Sequence, residues 1–250
     1  MNLWEVCKGS QQVGPVRGTL YRLVESQEQV ATLGYVDTLE EQALLESMLE
    51  AVKPPGLDHA REYHYLLRTP FRYPPLPWGS RFGRVHERGI FYGGSDPNAT
   101  LAEAAYYRFI FWHSMDSAPV KERIRTEHTL FSVGYRTKQG IRLQAPPFDE
   151  YIDKLMHLHD YRHTQRLGTA MRDAGVEAFE YRSARDPGKG TCIGLFTPWA
   201  FARTQPDEMS PWLCELNADE VLFKSLGEGA VTRFGIETFT ADGQLPMPAS

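Results

Sequence analysis

The spacing of strand and helix patterns limits most strongly what this chain can fold into. Stretches typical of short strands, at 19–26, 89–93, 129–136 and 140–144, are separated by helical segments at irregular intervals. A doubly wound parallel sheet requires a helix after nearly every strand, and this order does not provide it. The pattern therefore predicts a single α+β domain with mixed short strands and surrounding helices.

Two further segments carry helix signals. Asp37 and Glu40 form a start that resembles a capping box, and Pro54 and Pro55 end this helix. Its apolar residues lie on one face of the helix. They are Leu44, Leu45, Met48, Leu49 and Val52. A later helix, with a possible break, is predicted from about 149 to 174.

A helix that starts near residue 96 places a carboxylate among aromatic side chains. Asp96 can cap this helix and Pro97 occupies its first position. Its apolar stripe consists of Leu101, Ala105, Phe109 and Trp112. Glu103 points away from that stripe and shares a face with Tyr106 and Tyr107. Position alone does not distinguish a functional glutamate from a solvated one.

The charge balance narrows the class of ligand. Lys and Arg total 27 against 32 Asp and Glu, a net charge of −5, which argues against bulk nucleic-acid binding. Arg81, Arg84 and Arg88 precede the helix that carries Glu103. Arginines near a carboxylate are usually surface ion pairs of little energetic weight. They also suit a phosphate pocket, because guanidinium groups match phosphate oxygens bidentately.

Cysteine and histidine spacing argues against metal and disulfide frameworks. Cys7, Cys192 and Cys214 are far apart and form no CxxC pattern, so reduced thiols in a cytoplasmic protein are expected. His159 and His163 are four residues apart without a convincing acidic third ligand, so no metal site is predicted. We see no signal-peptide pattern, and no apolar run approaches the ~20 residues that span a bilayer.

Two loops stand out by composition. The proline-rich stretch 68–80 is too apolar for a free linker, so it is predicted to be an ordered loop leading into the functional segment. The loop 186–194 contains three glycines and fits neither a dinucleotide fingerprint nor a Walker A loop. Both a plain turn and a phosphate cradle stay open for it. Ser183 precedes this loop without the elbow motif of serine hydrolases.

Four motifs taken together point further than any one of them. They are GSRFGR (79–84), GIFYGG (89–94), SDPNATLAE (95–103) and GVEAFEYRSARDPGKG (175–190). In this order they resemble the RES domain family, which is named for its Arg, Glu and Ser. The resemblance extends from 19–27 through 196–201. It predicts an N-terminal arm at 1–18 and a RES domain at 19–250, with core motifs at 79–201.

The resemblance implies a fold and a set of site residues. RES proteins are similar in fold to ADP-ribosyltransferase toxins, which cleave the nicotinamide–ribose bond of NAD. The catalytic residues implied are Arg81, Tyr92, Glu103 and Ser183, with Arg84 competing for the role of the family arginine. The substrate-binding residues implied are Arg84, Arg22, Tyr107 and Arg185. Many members carry an asparagine after the late glycine-rich turn, where this chain has Thr191 and Cys192.

The resemblance also implies an activity and partners. It indicates a cytoplasmic toxin that degrades NAD with water or phosphate as acceptor, as an NAD glycohydrolase or NAD phosphorylase. Modification of a protein by mono-ADP-ribosylation is the alternative, and a degenerate binding module fits the retained site residues least. NAD is the substrate, and neither a separate cofactor nor a metal is implied. The partners implied are an Xre-type antitoxin and a second copy within a toxin–antitoxin complex, without direct nucleic-acid or membrane contact.

Overall fold

One long strand organises the computed structural model of the chain. Strand β3 (Ile124–Arg142) pairs antiparallel with β1 (Gly14–Glu25) and β6 (Glu208–Leu216), and parallel with β4 (Ala178–Arg182). It merges the two strands predicted at 129–136 and 140–144 into one. The structure describes residues 1–26, 36–54, 60–117, 119, 121–227, 229 and 231–248.

The remaining strands complete one sheet. They are β2 (Phe91–Gly94), β5 (Thr191–Leu195), β7 (Glu220–Ser225) and β8 (Val231–Gly235). The strand order is β1-β2-β5-β4-β3-β6-β7-β8, and β1 also pairs with β3, so five strands form a closed circuit of pairings. Within the described part of the chain only β3 and β4 pair in parallel. The prediction of an α+β domain in place of a doubly wound sheet is confirmed.

The helices are of very unequal length. In chain order the described helices are α1 (Leu3–Val6), α2 (Gly9–Gln12), α3 (Leu39–Val52), α4 (Tyr65–Arg68), α5 (Pro97–His113), α6 (Ile152–Leu155) and α7 (Arg162–Asp173). The stretch 1–18, predicted as an N-terminal arm, contains α1, α2 and the start of β1, and buries Leu3 and Cys7 in the core. None of the helices in the described ranges is long and apolar enough to cross a bilayer.

Helix α3 differs from its prediction in two respects. The hydroxyl of Thr38 accepts from the Glu41 amide at 3.2 Å, and the Glu41 carboxylate accepts from the Asp37 amide at 2.8 Å. Thr38 therefore caps the helix instead of Asp37, because its hydroxyl lies three residues before a free amide, and Glu41 instead of Glu40 reaches back to the Asp37 amide. The apolar face is largely exposed, with Val52 at 80%. Pro54 follows the helix, and 55 lies outside the described residues.

Helix α5 follows its prediction closely. The Asp96 carboxylate accepts from the Ala99 amide at 2.9 Å and Pro97 is the first helical residue. Leu101, Ala105 and Phe109 of the predicted stripe are buried.

The helix expected near 149–174 is broken at 156–161, between α6 and α7. His159 lies in this break, whereas His163 lies in α7. The two histidines therefore do not lie on one helix, although the predicted helix at 149–174 contains both. Within the break the His157 ring accepts from the Asp160 amide. Among the described residues no group of three or more His, Cys, Asp or Glu is arranged to hold a metal.

A glycine lets α7 contact the main chain beside Arg81. A Cβ on Gly168 would lie 1.8 Å from the Phe82 carbonyl oxygen. On its other side the buried ring of Phe82 packs edge-on against Phe179 and Tyr181, with centroids 4.8 and 4.9 Å apart. The segment that carries Arg81 is therefore fixed from both sides.

Gly168→Ala is expected to lower the free energy of unfolding by about 1–3 kcal/mol, because backbone atoms cannot move away as a side chain can. This loss opposes the ~1 kcal/mol that alanine gains in helix propensity. Chemical denaturation measures it. Gly14→Ala is the control, since a Cβ there meets nothing within 4 Å. Equal stability of both variants and the parent would contradict the close contact.

Candidate active site

A cleft of about 430 Å³ lies between β2, α5 and the segment before β2. Six of the residues predicted for the site line it: Arg22, Arg81, Tyr92, Glu103, Tyr107 and Arg185. Ser183 lies behind Glu103 and contacts it. Arg84 is also described by the structure but is not part of the lining, and its amide donates to Glu87 at 2.8 Å. The cleft therefore brings together groups that are up to 163 positions apart, from Arg22 to Arg185.

Glu103 is held by two donors from the sheet side of the cleft. Ser183 Oγ donates to Glu103 Oε1 at 2.6 Å, and the thiol of Cys192 donates to the same oxygen at 3.8 Å. The Ser183 oxygen accepts from the amides of Arg185 and Asp186 at 3.1 and 2.9 Å, which directs its hydrogen toward Glu103. Oε2 of Glu103 makes no hydrogen bond to a described residue, so a ligand in the cleft can contact it.

The glycine-containing loop 186–194 behaves as a turn. The Asp186 carboxylate accepts from the amides of Gly188 and Gly190 at 3.0 and 2.8 Å. The Gly190 carbonyl accepts from the Ser183 amide at 2.8 Å. Because the loop uses these amides internally, the plain-turn interpretation holds over the phosphate cradle. The turn places Ser183 under Glu103.

Arg81 is buried at the break between α6 and α7. Its Nη1 donates to the carbonyls of Leu155 and His157 at 3.3 and 2.8 Å, and its guanidinium lies 4.6 Å from the centroid of the Tyr161 ring. Burial opposes the charge of Arg81, but the coulombic effect of Tyr161 and Glu103 leaves its pKa above the usual value. The charged form is thus retained inside the protein.

Arg185 also contacts Tyr161, at its hydroxyl group. Its Nη2 donates to the Leu158 carbonyl and to the Tyr161 hydroxyl, the latter at 3.3 Å. Its guanidinium carbon lies 3.5 Å from the centroid of the Tyr106 ring. Nη1 of Arg185 is buried and has no partner in the described structure. Such an unsatisfied cationic group is costly unless a ligand completes it.

Arg22 approaches the cleft from β1. Its Nη1 donates to the Tyr92 carbonyl at 2.7 Å, and its guanidinium lies 4.8 Å from the centroid of Phe91. Burial lowers the pKa of Arg22 to about 10, so it stays protonated at neutral pH. Within the described ranges Arg22, Arg81 and Arg185 pair with no carboxylate within 4.0 Å. Their charges are therefore available to an anion.

Tyr92 fixes the segment that carries Arg81. Its hydroxyl accepts from the Phe82 amide at 3.2 Å and is hydrogen-bonded to Ser80 Oγ at 3.0 Å. Burial raises the pKa of Tyr92 to about 12, so the phenol is neutral at physiological pH. The hydroxyl is engaged within the protein, and the ring forms a rigid wall of the cleft.

Sequence reasoning assigned no site role to three residues that contact the predicted arginines and glutamate, namely Tyr161, Tyr106 and Cys192. The carbonyls of 155, 157 and 158 accept from both buried guanidinium groups. One signal exists in the sequence, since the predicted break in the helix at 149–174 exposes such carbonyls.

Comparisons with known proteins agree with these motifs. The model of the RES domain matches residues 56–217. The chain belongs to the RES domain family. A chain in the crystal structure of the M. tuberculosis MbcT–MbcA toxin–antitoxin complex is 12% identical with a TM-score of 0.48, over 86% of this chain and 92% of that one. Comparison with curated proteins finds no match.

The RES match contains most of the site. Arg81, Tyr92, Glu103, Ser183 and Arg185 fall within it, whereas Arg22 precedes it. The strand that carries Arg22 pairs with β3 along most of its length and contacts β2 at Tyr21 and Gly94. An element outside the matched range thus completes the cleft of this RES protein.

Inorganic pyrophosphate is expected to raise the melting temperature of this RES protein by a few degrees when it is well above its dissociation constant. Arg81→Gln is expected to abolish that increase, because one of the unpaired cations is lost. Thermal scans with and without pyrophosphate measure the increase for each variant separately. Arg125→Gln is the control, since the Arg125 side chain is 79% exposed and pairs with Glu215. An equal increase in all three proteins would contradict an anion site at Arg81.

Proposed function

We propose that this RES protein is the toxin of a toxin–antitoxin pair and acts by cleaving the nicotinamide–ribose bond of NAD. The observation that carries the proposal is the hydrogen bond of 2.6 Å from Ser183 to Glu103, in a cleft that Arg81 and Arg185 also line. One oriented carboxylate and unpaired cations in one concavity suit a substrate that carries a diphosphate and develops positive charge. The family resemblance supplies the class of reaction.

Glu103 acts on the reacting ribose. The bond from C1′ to the nicotinamide nitrogen breaks, and its electron pair leaves with nicotinamide, which becomes neutral. The ribose left behind has oxocarbenium character. The Glu103 carboxylate stabilises that positive charge through Oε2, while Ser183 holds Oε1 in place. Because the leaving group is already activated by its charge, no strong general acid is required.

Arg81 and Arg185 bind the diphosphate in this proposal. Both line the cleft and both contact Tyr161, Arg81 at the ring and Arg185 at the hydroxyl. Their remaining N–H groups match phosphate oxygens. Tyr92 provides a rigid ring beside the ribose or nicotinamide. Because the arginines hold the diphosphate inside the cleft, C1′ of the nicotinamide ribose comes to lie against Glu103.

An acceptor completes the reaction at C1′. Water yields ADP-ribose, and inorganic phosphate yields ADP-ribose with a phosphate on that carbon. The proposal covers both, and the products formed with and without phosphate separate the glycohydrolase from the phosphorylase. If the acceptor is a protein, radiolabelled ADP-ribose becomes attached to it. This labelling distinguishes mono-ADP-ribosylation from the other two reactions.

The family resemblance also supports the proposed setting. In this setting the protein acts in the cytoplasm and is neutralised by an Xre-type antitoxin. A second copy of the protein is present in the toxin–antitoxin complex. Co-expression with the antitoxin gene that neighbours its own is then expected to restore growth. Continued toxicity in the presence of that soluble antitoxin would contradict this part of the proposal.

Glu103→Gln is expected to reduce kcat/KM for NAD cleavage by about 100-fold or more, because the amide cannot stabilise the cationic ribose. Ser183→Ala is expected to lower kcat about tenfold with a smaller effect on KM, since it frees Oε1 without removing the charge. Nicotinamide release by purified protein measures both. Glu122→Gln changes an exposed carboxylate and serves as the control.

Growth after expression of the same variants in cells tests the biological role. The parent protein is expected to stop growth and deplete NAD, and Glu103→Gln is expected to do neither. Folded, soluble parent protein that leaves NAD and growth unchanged would overturn the proposal. A toxic Glu103→Gln variant would move the chemistry to another residue.

A further inference from the structure

An uncharged wall forms part of the cleft. Five of its lining residues come from one stretch of the proline-rich segment: Pro70, Tyr73, Pro74, Pro75 and Leu76. The side chains of Tyr73 and Leu76 are 38% and 51% exposed. Adjacent prolines restrict the backbone, so this apolar surface is already shaped in the absence of a ligand. None of the contacts that hold Glu103 involves it.

Strand β2 places this wall at one end of the cleft. Phe71 stacks on Phe91, the first residue of β2, with ring centroids 6.3 Å apart. A Cβ on Gly89, two residues before β2, would lie 2.1 Å from the Pro70 carbonyl oxygen. The proline-rich wall is therefore packed against the start of β2.

Glu103 lies near the opposite end of β2. The last residue of β2, Gly94, pairs with Cys192, whose thiol contacts the Glu103 carboxylate. Three residue steps along a strand, from Phe91 to Gly94, cover roughly 10 Å. The cleft thus has Glu103 toward one end of β2 and the apolar proline-rich wall toward the other, where the Arg22 guanidinium also lies beside Phe91.

A ligand that fills the cleft must match both ends. A nicotinamide mononucleotide at Glu103 would leave the proline-rich wall in water. A dinucleotide covers it, because its second base is planar, largely apolar on its faces and separated from the reacting ribose by the diphosphate. Apolar walls with few polar groups are the usual environment of such rings. The continuity of this wall with the site argues for the substrate itself as its occupant.

We propose that Pro70, Tyr73 and Leu76 bind the adenine-bearing half of the dinucleotide and make the protein select dinucleotides over nicotinamide mononucleotide. This inference rests on the proposed function and adds to it the residues that determine specificity. Tyr73 and Leu76 act in binding only, through apolar contact with the base.

The test compares the two halves of the substrate as separate ligands. Adenosine monophosphate and nicotinamide mononucleotide are titrated calorimetrically into the parent protein and into Leu76→Asp. The Kd of adenosine monophosphate is expected to rise about tenfold in the variant, because the carboxylate is hydrated and repels the phosphate-bearing ligand at this end. The Kd of nicotinamide mononucleotide is expected to change less than about twofold. In turnover, KM for NAD rises while kcat stays within about twofold.

A matched control separates this effect from surface charge. Leu226 is exposed to the same extent as Leu76, at 51%, and lies outside the cleft lining, so Leu226→Asp is expected to bind both ligands as the parent does. Three results would each overturn the inference. In the first, Leu76→Asp raises the Kd of both mononucleotides equally; in the second, it raises neither Kd; in the third, the parent does not bind adenosine monophosphate. Since the titration requires no turnover, failure to cleave NAD would overturn the proposed function and leave this test intact.

Discussion

The burial of two guanidinium groups without carboxylate partners is the constraint on which the rest of the site depends. A buried charge requires compensation, and the usual solution is an ion pair. Here Arg81 and Arg185 are compensated by main-chain carbonyls of 155–158 and by the faces of Tyr161 and Tyr106. These partners satisfy donors without cancelling the positive charge. The helix break, the tight contact at Gly168 and the turn after β4 all serve this arrangement.

Glu103 complements the arginines without pairing with them. Its oxygen Oε1 is held by Ser183, and no salt bridge within 4.0 Å joins it to a guanidinium group in the described structure. A direct ion pair would neutralise both the Glu103 carboxylate and the Arg81 guanidinium. Separation keeps the carboxylate for a cationic centre and the arginines for an anion. Such an arrangement fits a substrate with a diphosphate and an incipient cation at adjacent positions.

Sequence patterns predicted the local elements better than their assembly. The capping by Asp96 and the stripe of α5 depend on neighbouring residues, so they could be predicted, and the irregular spacing indicated the α+β class. The closed circuit of pairings between β1 and β3 could not, because it joins strands that are about 100 residues apart in the chain. In the site, motifs singled out Glu103, Ser183 and Arg81, and the structure places Glu103 and Arg81 in one cleft with Ser183 against Glu103. The helix break that exposes the carbonyls of 155–158 had a local signal, but their contacts with Arg81 and Arg185, and those of Tyr161, arise from tertiary packing.

The most direct measurement is a crystal structure of the Glu103→Gln variant with NAD bound. The account predicts C1′ of the nicotinamide ribose next to residue 103, the diphosphate against Arg81 and Arg185, and the adenine on the proline-rich wall. NAD bound elsewhere on the protein, or bound in this cleft with its diphosphate away from both arginines, would contradict it.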